Sequence, residues 1–228
     1  MMMYAIDGAC RRNGKPDCTS SGGVFCFANI DGKPMCKTMN AYEYNSTNQR
    51  GELSALLVAI RDVFKSKDTY NFDTTYIITD SEYIFNAMTK QWYATWYHKN
   101  WMTASGSPVK NSDIWGDIYR AMLDLNEAGI EPIFYHIKGH CIPFGRVTAD
   151  NLLDKDTSGG LLFKEVLKKY DSCKDDKKDK LEAAQQLSER NNGFRLPDDI
   201  LRRLVVCNTV ADAVATKIVD EADARRKG

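Results

Sequence analysis

Three acidic residues early in the chain stand where a carboxylate is costly unless something holds it. Asp7 lies within the apolar run YAIDGAC, Glu52 opens a helical pattern of leucines, and Asp80 ends the run TTYIITD. A carboxylate in an apolar strand needs a partner, and converging carboxylates repel one another unless a cation lies between them. Mg²⁺ prefers oxygen ligands of this kind. The three acids therefore predict a divalent metal site.

Each acid also has an ordinary structural explanation when it is taken alone. Glu52 could favour the positive end of its helix, and Asp80 could cap the helix that follows it. His140, at the end of the run HIKGH, could be a surface residue at a strand end. Beside a cluster of acids, however, a titrating imidazole is suited to move a proton. The combination favours one catalytic site over separate structural roles.

The spacing of apolar residues predicts the elements that must position these side chains. We expect strands at 3–10, 22–30, 35–45, 74–80 and 131–140, and helices from Glu52, at 81–88 and at about 111–128. This order predicts an α/β fold with a mixed sheet flanked by helices. If the strands that carry Asp7 and Asp80 are neighbours, their carboxylates meet, and Glu52 reaches them from the helix above.

Composition limits the class of protein without identifying it. The chain has 228 residues and a formal net charge of zero, so attraction to phosphate must come from local placement of basic residues. No apolar run approaches the roughly 18 residues of a membrane span, and the start lacks the pattern of a signal peptide. Seven cysteines without a CxxC pair are expected to be reduced thiols in a cytoplasmic protein. No membrane association or protein partner is evident.

Several motifs occur in an order that resembles type 1 ribonuclease H, of the bacterial and phage kind. The matching pieces are YAIDGAC, STNQRGELSALLVAI, IITDSEYI, QWYATWYHKNWMTASGSPVKNSDIW and HIKGH. They cover nearly all of residues 3–140. Each piece is weak alone, but the ordered set is specific.

The resemblance implies a ribonuclease H fold, which is a five-stranded mixed sheet with helices on both sides. It implies endonucleolytic hydrolysis of the RNA strand of an RNA–DNA hybrid, leaving a 5′ phosphate and a 3′ hydroxyl. Two Mg²⁺ ions, with Mn²⁺ as an alternative, would be held by Asp7, Glu52 and Asp80. His140 would be the proton shuttle or the product-release residue.

The same resemblance implies which residues contact the hybrid. Asn48, Gln49 and the backbone near Cys10 and Arg11 would line the RNA strand in the minor groove, where contacts to the 2′ hydroxyl distinguish RNA from DNA.

The segment 92–115 resembles the helical handle of the family, with Trp92, Lys99 and Lys110 as candidate contacts. Its four tryptophans are expected chiefly to form a local aromatic core, with stacking on the nucleic acid as the alternative. So few basic residues predict modest affinity for the hybrid, with compensation by basic residues elsewhere, such as Arg11, Arg12 and those of the segment 151–206, as the alternative.

Two residues compete for the position of the fourth acid. Asp150 matches the family's spacing of about ten residues beyond the final histidine, since 150 − 140 = 10. Asp212 lies much further on, since 212 − 140 = 72, but its setting NTVADAVA resembles the family motif N-x-x-A-D-x-L/V-A more closely. We favour Asp212 and keep Asp150 as the alternative; both could lie near the metal ions.

The choice of Asp212 requires a long insertion before the last helix. Residues 151–206 are dense in charges of both signs and are predicted to form a solvated helical insertion, with a role in substrate binding as the alternative. Pro197 is placed to start a short helix within it. The prediction is one ribonuclease H domain over 1–228 with this insertion.

Two other functions compete with hybrid cleavage. The fold also supports exonucleases and resolvases, so a nuclease of different specificity is the first alternative. The second is a non-catalytic module that binds hybrids. Clustered negative charge near phosphate argues against a pure binding module.

Overall fold

The computed structural model describes residues 1–70, 72, 74–172, 178–193 and 195–227. Its strands are β1 (Met2–Arg11), β2 (Thr19–Ile30), β3 (Lys33–Tyr44), β4 (Thr75–Thr79) and β5 (Ile133–His136). Its helices are α1 (Asn48–Ser66), α2 (Glu82–Thr89), α3 (Trp92–His98), α4 (Ser112–Glu127), α5 (Arg146–Lys155), α6 (Gly160–Ser172), α7 (Lys178–Asn192) and α8 (Asp198–Lys227).

The five strands form one mixed sheet in the order β3-β2-β1-β4-β5. β2 pairs antiparallel with both β1 and β3, whereas β4 pairs parallel with both β1 and β5. The expected fold class, a mixed sheet flanked by helices, is confirmed.

Alternate residues of the central strand β1 pack on opposite faces of the sheet. Tyr4 and Ile6 join the core formed with α1, α2 and α4, whereas Met3 and Ala5 join the core formed with α5, α6 and α8. The alternation follows from the period of two in a strand. Because helices cover both faces, Asp7 is itself buried, with 7% of its surface exposed.

Two helices differ in their bounds from the sequence prediction. α1 begins at Asn48 rather than Glu52, because the Thr47 side chain caps it by accepting a hydrogen bond from the backbone of Arg50 at 3.3 Å. Pro197 precedes one continuous 30-residue helix, α8, rather than a separate short one. Asp212 therefore lies in the middle of the last helix and not at its start.

The last strand is also shorter than predicted. β5 ends at His136, and the turn that follows contains His140 with a φ of +54°. An extended strand cannot continue through this left-handed conformation.

The prediction that all seven cysteines are reduced is wrong for one pair. Cys10 and Cys18 form a disulfide across the hairpin between β1 and β2. Their partnership comes from the antiparallel pairing of these strands, which spacing along the sequence does not reveal. Cys26, Cys36 and Cys207 are free thiols, whereas Cys173 lies outside the described residues.

The predicted insertion at 151–206 covers the end of α5, all of α6 and α7, and the first part of α8. Residues 173–177, within its charged stretch, lie outside the described part. The division into one domain with an insertion stays a prediction. Within the described residues, no helix combines the length and apolar character needed to cross a membrane.

Candidate active site

Parallel pairing of β1 with β4 brings Asp7 beside Asp80. Ala5 pairs with Ile78, and each aspartate lies two residues further along its own strand direction. Asp7 accepts a hydrogen bond from the backbone of Gly8 at 2.6 Å. The two carboxylates therefore share one end of the sheet, as the sequence predicts. Asp80 is not the helix cap, because Ser81 occupies the N-cap position of α2.

Glu52 approaches the same end of the sheet from α1. Its carboxylate accepts a hydrogen bond from the Asn48 side chain at 2.9 Å, one helical turn earlier, and the nearby Ser81 side chain lowers its pKa. Since α1 begins at Asn48, Glu52 lies in the second turn. The helix-end explanation for this glutamate is therefore weak, because the effect of the helix dipole fades beyond the first turn.

Helix α8 brings Asp212 to the opposite face of the same strands. A Cβ on Gly23 of β2 would overlap the main chain of Ala211 and Ala215, so the helix rests directly on the glycine. The Ser21 hydroxyl also donates a hydrogen bond to the carbonyl of Ala215 at 2.5 Å. The close approach of α8 to β2 puts Asp212 beside Asp7.

Burial raises the pKa of every carboxyl group in this cluster, and the charge of a neighbouring acid raises it further at Asp7, Glu52 and Asp80. The pKa of Asp7 lies well above its usual range, first because of burial and then because of the charges of Asp80, Asp212 and Glu52. Burial is also the largest cause of the raised pKa of Glu52, Asp80 and Asp212. We name these four residues the carboxylate cluster.

His140 stands at the edge of the carboxylate cluster. Its side chain is 77% exposed, and its Nδ1 lies 3.6 Å from the Asp212 carboxylate. The imidazole partly offsets the raised pKa of both Asp80 and Asp212. Gly139, the residue before it, packs against Asp80 so closely that a Cβ would overlap the carboxylate and lie 2.9 Å from its Cγ.

Asp150 lies next to the carboxylate cluster but outside it. A cavity of about 240 Å³ is lined by both Asp150 and Asp212, together with His140 and Arg146. Asp150 is partly exposed and is not among the charges that shift the pKa of Asp7 or Asp80. The structure thus groups Asp212, not Asp150, with the other three acids.

The donor chemistry of the cluster fits a divalent cation. All four groups offer hard oxygen ligands, and a cation would relieve the repulsion that contributes to the raised pKa of Asp7, Glu52 and Asp80. Within the described residues, no three acidic, histidine or cysteine side chains already stand close enough to hold an ion.

Comparison with known proteins identifies the family. The family model for RNase H matches residues 1–158. The chain belongs to the ribonuclease H family. The matched range contains Asp7, Glu52, Asp80, His140 and Asp150, and it stops before Asp212. The choice of fourth acid for this ribonuclease H therefore rests on where the side chains lie.

Curated relatives agree with the family match. A protein of Treponema denticola named Ribonuclease H is 32% identical over 142 residues, which is 59% of this chain and 82% of that protein. A Marinobacter nauticus Ribonuclease H is 30% identical over 155 residues, covering 68% of this chain and 92% of its own. Among solved structures, LC9-RNase H1, titled a type 1 RNase H with the type 2 active-site motif, is 24% identical with a TM-score of 0.49, over 61% of this chain and 63% of that one.

The four tryptophans of the handle-like segment form an aromatic core, as expected. Trp115 is fully buried and donates a hydrogen bond to the Tyr83 hydroxyl at 3.0 Å, and Trp96 packs against it with ring centres 5.4 Å apart. Trp92 and Trp101 are partly buried against the same cluster. Lys99 and Lys110 are exposed.

The other predicted hybrid contacts already have partners within the protein. Gln49 accepts a hydrogen bond from Asn111 at 3.1 Å, and Asn48 is bound to Glu52. The Arg11 guanidinium pairs with both oxygens of Asp220, at 2.6 and 3.0 Å, so it is not an open phosphate contact. Cys10 is held in the disulfide, which leaves its backbone for the role expected of it.

Four residues of the site were missed in the sequence. The Ser81 side chain lies beside Glu52. At Gly139 and Gly23, the absence of a side chain allows two parts of the chain to pack closely. His136 lies buried behind Asp80. Ser81 directly follows Asp80, and Gly139 directly precedes His140. Their positions next to predicted site residues could have identified them. Gly23 and His136 act through packing between distant segments, for which one sequence offers no signal.

Proposed function

We propose that this ribonuclease H hydrolyses the RNA strand of RNA–DNA hybrids by endonucleolytic cutting. The observation that carries the proposal is the carboxylate cluster, whose four acids come from separate parts of the chain to one end of the sheet, with His140 at its edge. Its supporting context is the family match over residues 1–158. A hybrid-binding module without activity has no use for four carboxylates whose charges oppose one another.

Asp7, Glu52, Asp80 and Asp212 would hold two Mg²⁺ or Mn²⁺ ions. Bound there, two such ions supply activation of a water molecule and stabilisation of the leaving 3′ oxygen. Asn48 holds the Glu52 carboxylate in place by a hydrogen bond, so that it need not reorganise when an ion binds. A 5′ phosphate and a 3′ hydroxyl are the expected products.

His140 would transfer a proton or assist product release from the edge of the site. Its ring is exposed and 3.6 Å from Asp212, which leaves it accessible to a substrate phosphate and to water. The RNA strand would be lined by Asn48, Gln49 and the backbone at Cys10 and Arg11. The hybrid would be contacted along the handle by Trp92, Lys99 and Lys110. Two exposed lysines neutralise few phosphates, so modest, salt-sensitive affinity is expected.

The experiment compares three end-labelled substrates, an RNA–DNA hybrid, duplex DNA and duplex RNA, each with and without Mg²⁺. The proposal predicts cutting of the RNA strand of the hybrid only, at internal positions and only with the metal. Cutting of duplex DNA without the hybrid would show a nuclease of different specificity. Binding without cutting in either Mg²⁺ or Mn²⁺ would show a non-catalytic module. The cytoplasmic location stays a prediction from the sequence.

A further inference from the structure

His136, the last residue of β5, lies behind the carboxylate cluster with both ring nitrogens engaged. It is buried, with 5% of its surface exposed, and its ring stacks on Phe85 with centres 5.5 Å apart. Its Nε2 lies 3.1 Å from the main-chain carbonyl oxygen of Asp80, and its Nδ1 lies 2.5 Å from the side-chain nitrogen of Asn191. The imidazole therefore connects helix α7 to Asp80.

The chemistry of these two partners fixes the tautomer of the ring. A carbonyl oxygen only accepts hydrogen bonds, so the bond to Asp80 forms only in the state of the ring that carries a proton on Nε2. In a neutral imidazole the other nitrogen, Nδ1, is then an acceptor, which matches the donating amide of Asn191. Asn191 thus selects the one neutral form of His136 that can hold the Asp80 carbonyl.

The backbone of His136 is held by the neighbouring residue of the same helix. Asn192 accepts a hydrogen bond from the His136 N–H and donates one to its carbonyl, each at 3.4 Å. These bonds cover the outer edge of β5, which would otherwise present unpaired backbone groups. The end of α7 is therefore docked on both the ring and the backbone of His136.

Asp80 needs such support because regular pairing stops just before it. The ladder between β4 and β5 ends where Thr79 pairs with His136, and the Ile137 N–H bonds the Thr79 carbonyl. The Asp80 carbonyl comes one residue later, at the turn into α2. A donor on this carbonyl fixes the direction of the main chain from which the Asp80 carboxylate projects.

We propose that Asn191 and His136 are positioning residues that orient Asp80 for divalent metal binding. This rests on the proposed function, in which Asp80 is a metal ligand. It gives the helical insertion a specific task, since Asn191 lies on α7, beyond the region matched by the family model. Groups that orient a metal ligand from behind typically affect metal affinity by about 10- to 100-fold.

The test compares the wild-type protein with Asn191→Ala and with Arg190→Ala, a matched control at an exposed position of the same helix turn. Mn²⁺ binding is measured by electron paramagnetic resonance, and hybrid cleavage is measured in parallel. Asn191→Ala should weaken Mn²⁺ binding by about tenfold, whereas Arg190→Ala should not change it.

Nitrogen-15 spectra of the imidazoles provide a readout independent of the metal, and the chain has only three histidines to assign. The wild-type protein should show His136 protonated at Nε2 alone, and Asn191→Ala should show a mixture of tautomers. A second pair of variants tests the inference if Asn191→Ala fails to fold. His136→Gln keeps a donor for the Asp80 carbonyl and should bind Mn²⁺ better than His136→Phe.

The outcomes separate the inference from the proposed function. If the wild-type protein cuts the hybrid and Asn191→Ala matches it in both tautomer and Mn²⁺ binding, the inference is overturned and the proposed function stands. Equal Mn²⁺ binding by His136→Gln and His136→Phe overturns it as well. If the wild-type protein neither binds Mn²⁺ nor cuts the hybrid, the proposed function fails and the inference fails with it.

Discussion

Asp7 of β1 lies directly opposite Gly23 of β2 in their antiparallel register. Gly23 is also where α8 meets the sheet, at Ala211 and Ala215, on either side of Asp212 in sequence. One glycine therefore determines how closely Asp212 approaches Asp7. The carboxylate cluster depends on this contact between elements that are far apart in the chain.

Gly23→Ala should displace α8 and impair both stability and hybrid cleavage. Its Cβ would overlap the helix backbone, which cannot move aside as a flexible side chain could, and overpacking of this kind costs about 1–3 kcal/mol. The measurements are the free energy of unfolding in urea and the cleavage rate. Gly116→Ala in α4 is the matched control. Its Cβ would lie 3.4 Å from the Trp101 ring, which is an ordinary van der Waals distance. Equal behaviour of the two variants would refute the packing argument.

Gly139→Ala should lower hybrid cleavage with a smaller effect on folding. Gly139 lies in the turn after β5, and its added Cβ would overlap the Asp80 carboxylate and displace it. A displacement of about 1 Å at a reacting centre can cost about 100-fold in rate. Cleavage rate and melting temperature should be compared for this variant and the wild-type protein. A wild-type rate would show that Asp80 need not occupy its observed position.

Reduction of the Cys10–Cys18 disulfide should lower the free energy of unfolding by about 2–3 kcal/mol. This is the loss expected when the unfolded chain regains the conformational entropy that closing a short loop removes. Melting curves with and without a thiol reductant measure this loss. Cys18→Ser should melt like the reduced wild-type protein and should not respond to reductant. Identical melting of the oxidised and reduced wild-type protein would show that the disulfide contributes nothing to stability.

Asp223 of α8 should make stability depend on acid pH. Hydrogen bonds from Arg12, and then from Lys227, lower the pKa of this carboxyl group in the folded protein. A lowered folded-state pKa contributes stability above the unfolded value of about 3.9, and this contribution is lost as pH falls through the folded pKa. Urea unfolding should show Asp223→Asn to be less stable than wild type at neutral pH, with the difference shrinking below about pH 4. A constant difference across that range would contradict the assignment.

The sequence predicted those parts of the site that motifs and local periodicity specify. Asp7 and Asp80 were predictable because apolar runs mark the strands that carry them. Parallel pairing of these strands then places the two residues side by side. The aromatic packing of Trp96 and Trp115 was likewise predictable from their density in one segment.

Contacts between distant segments were not predictable in the same way. The disulfide depends on the pairing of β1 with β2, and the bond between His136 and Asn191 joins residues 55 positions apart. The single helix α8 was missed because Pro197 marks a helix start but not how far the helix extends. Tertiary packing decides each of these features.

The central claim is that Asp212 completes the metal site, and paired substitutions test it most directly. Asp212→Asn and Asp150→Asn are assayed on the RNA–DNA hybrid with Mg²⁺, with melting temperatures to verify folding. Asp212→Asn should reduce the cleavage rate by about 100-fold or more, as expected when a group that stabilises the transition state is lost. Asp150→Asn should keep most of the wild-type rate. The reverse pattern, loss with Asp150→Asn and retention with Asp212→Asn, would contradict the account.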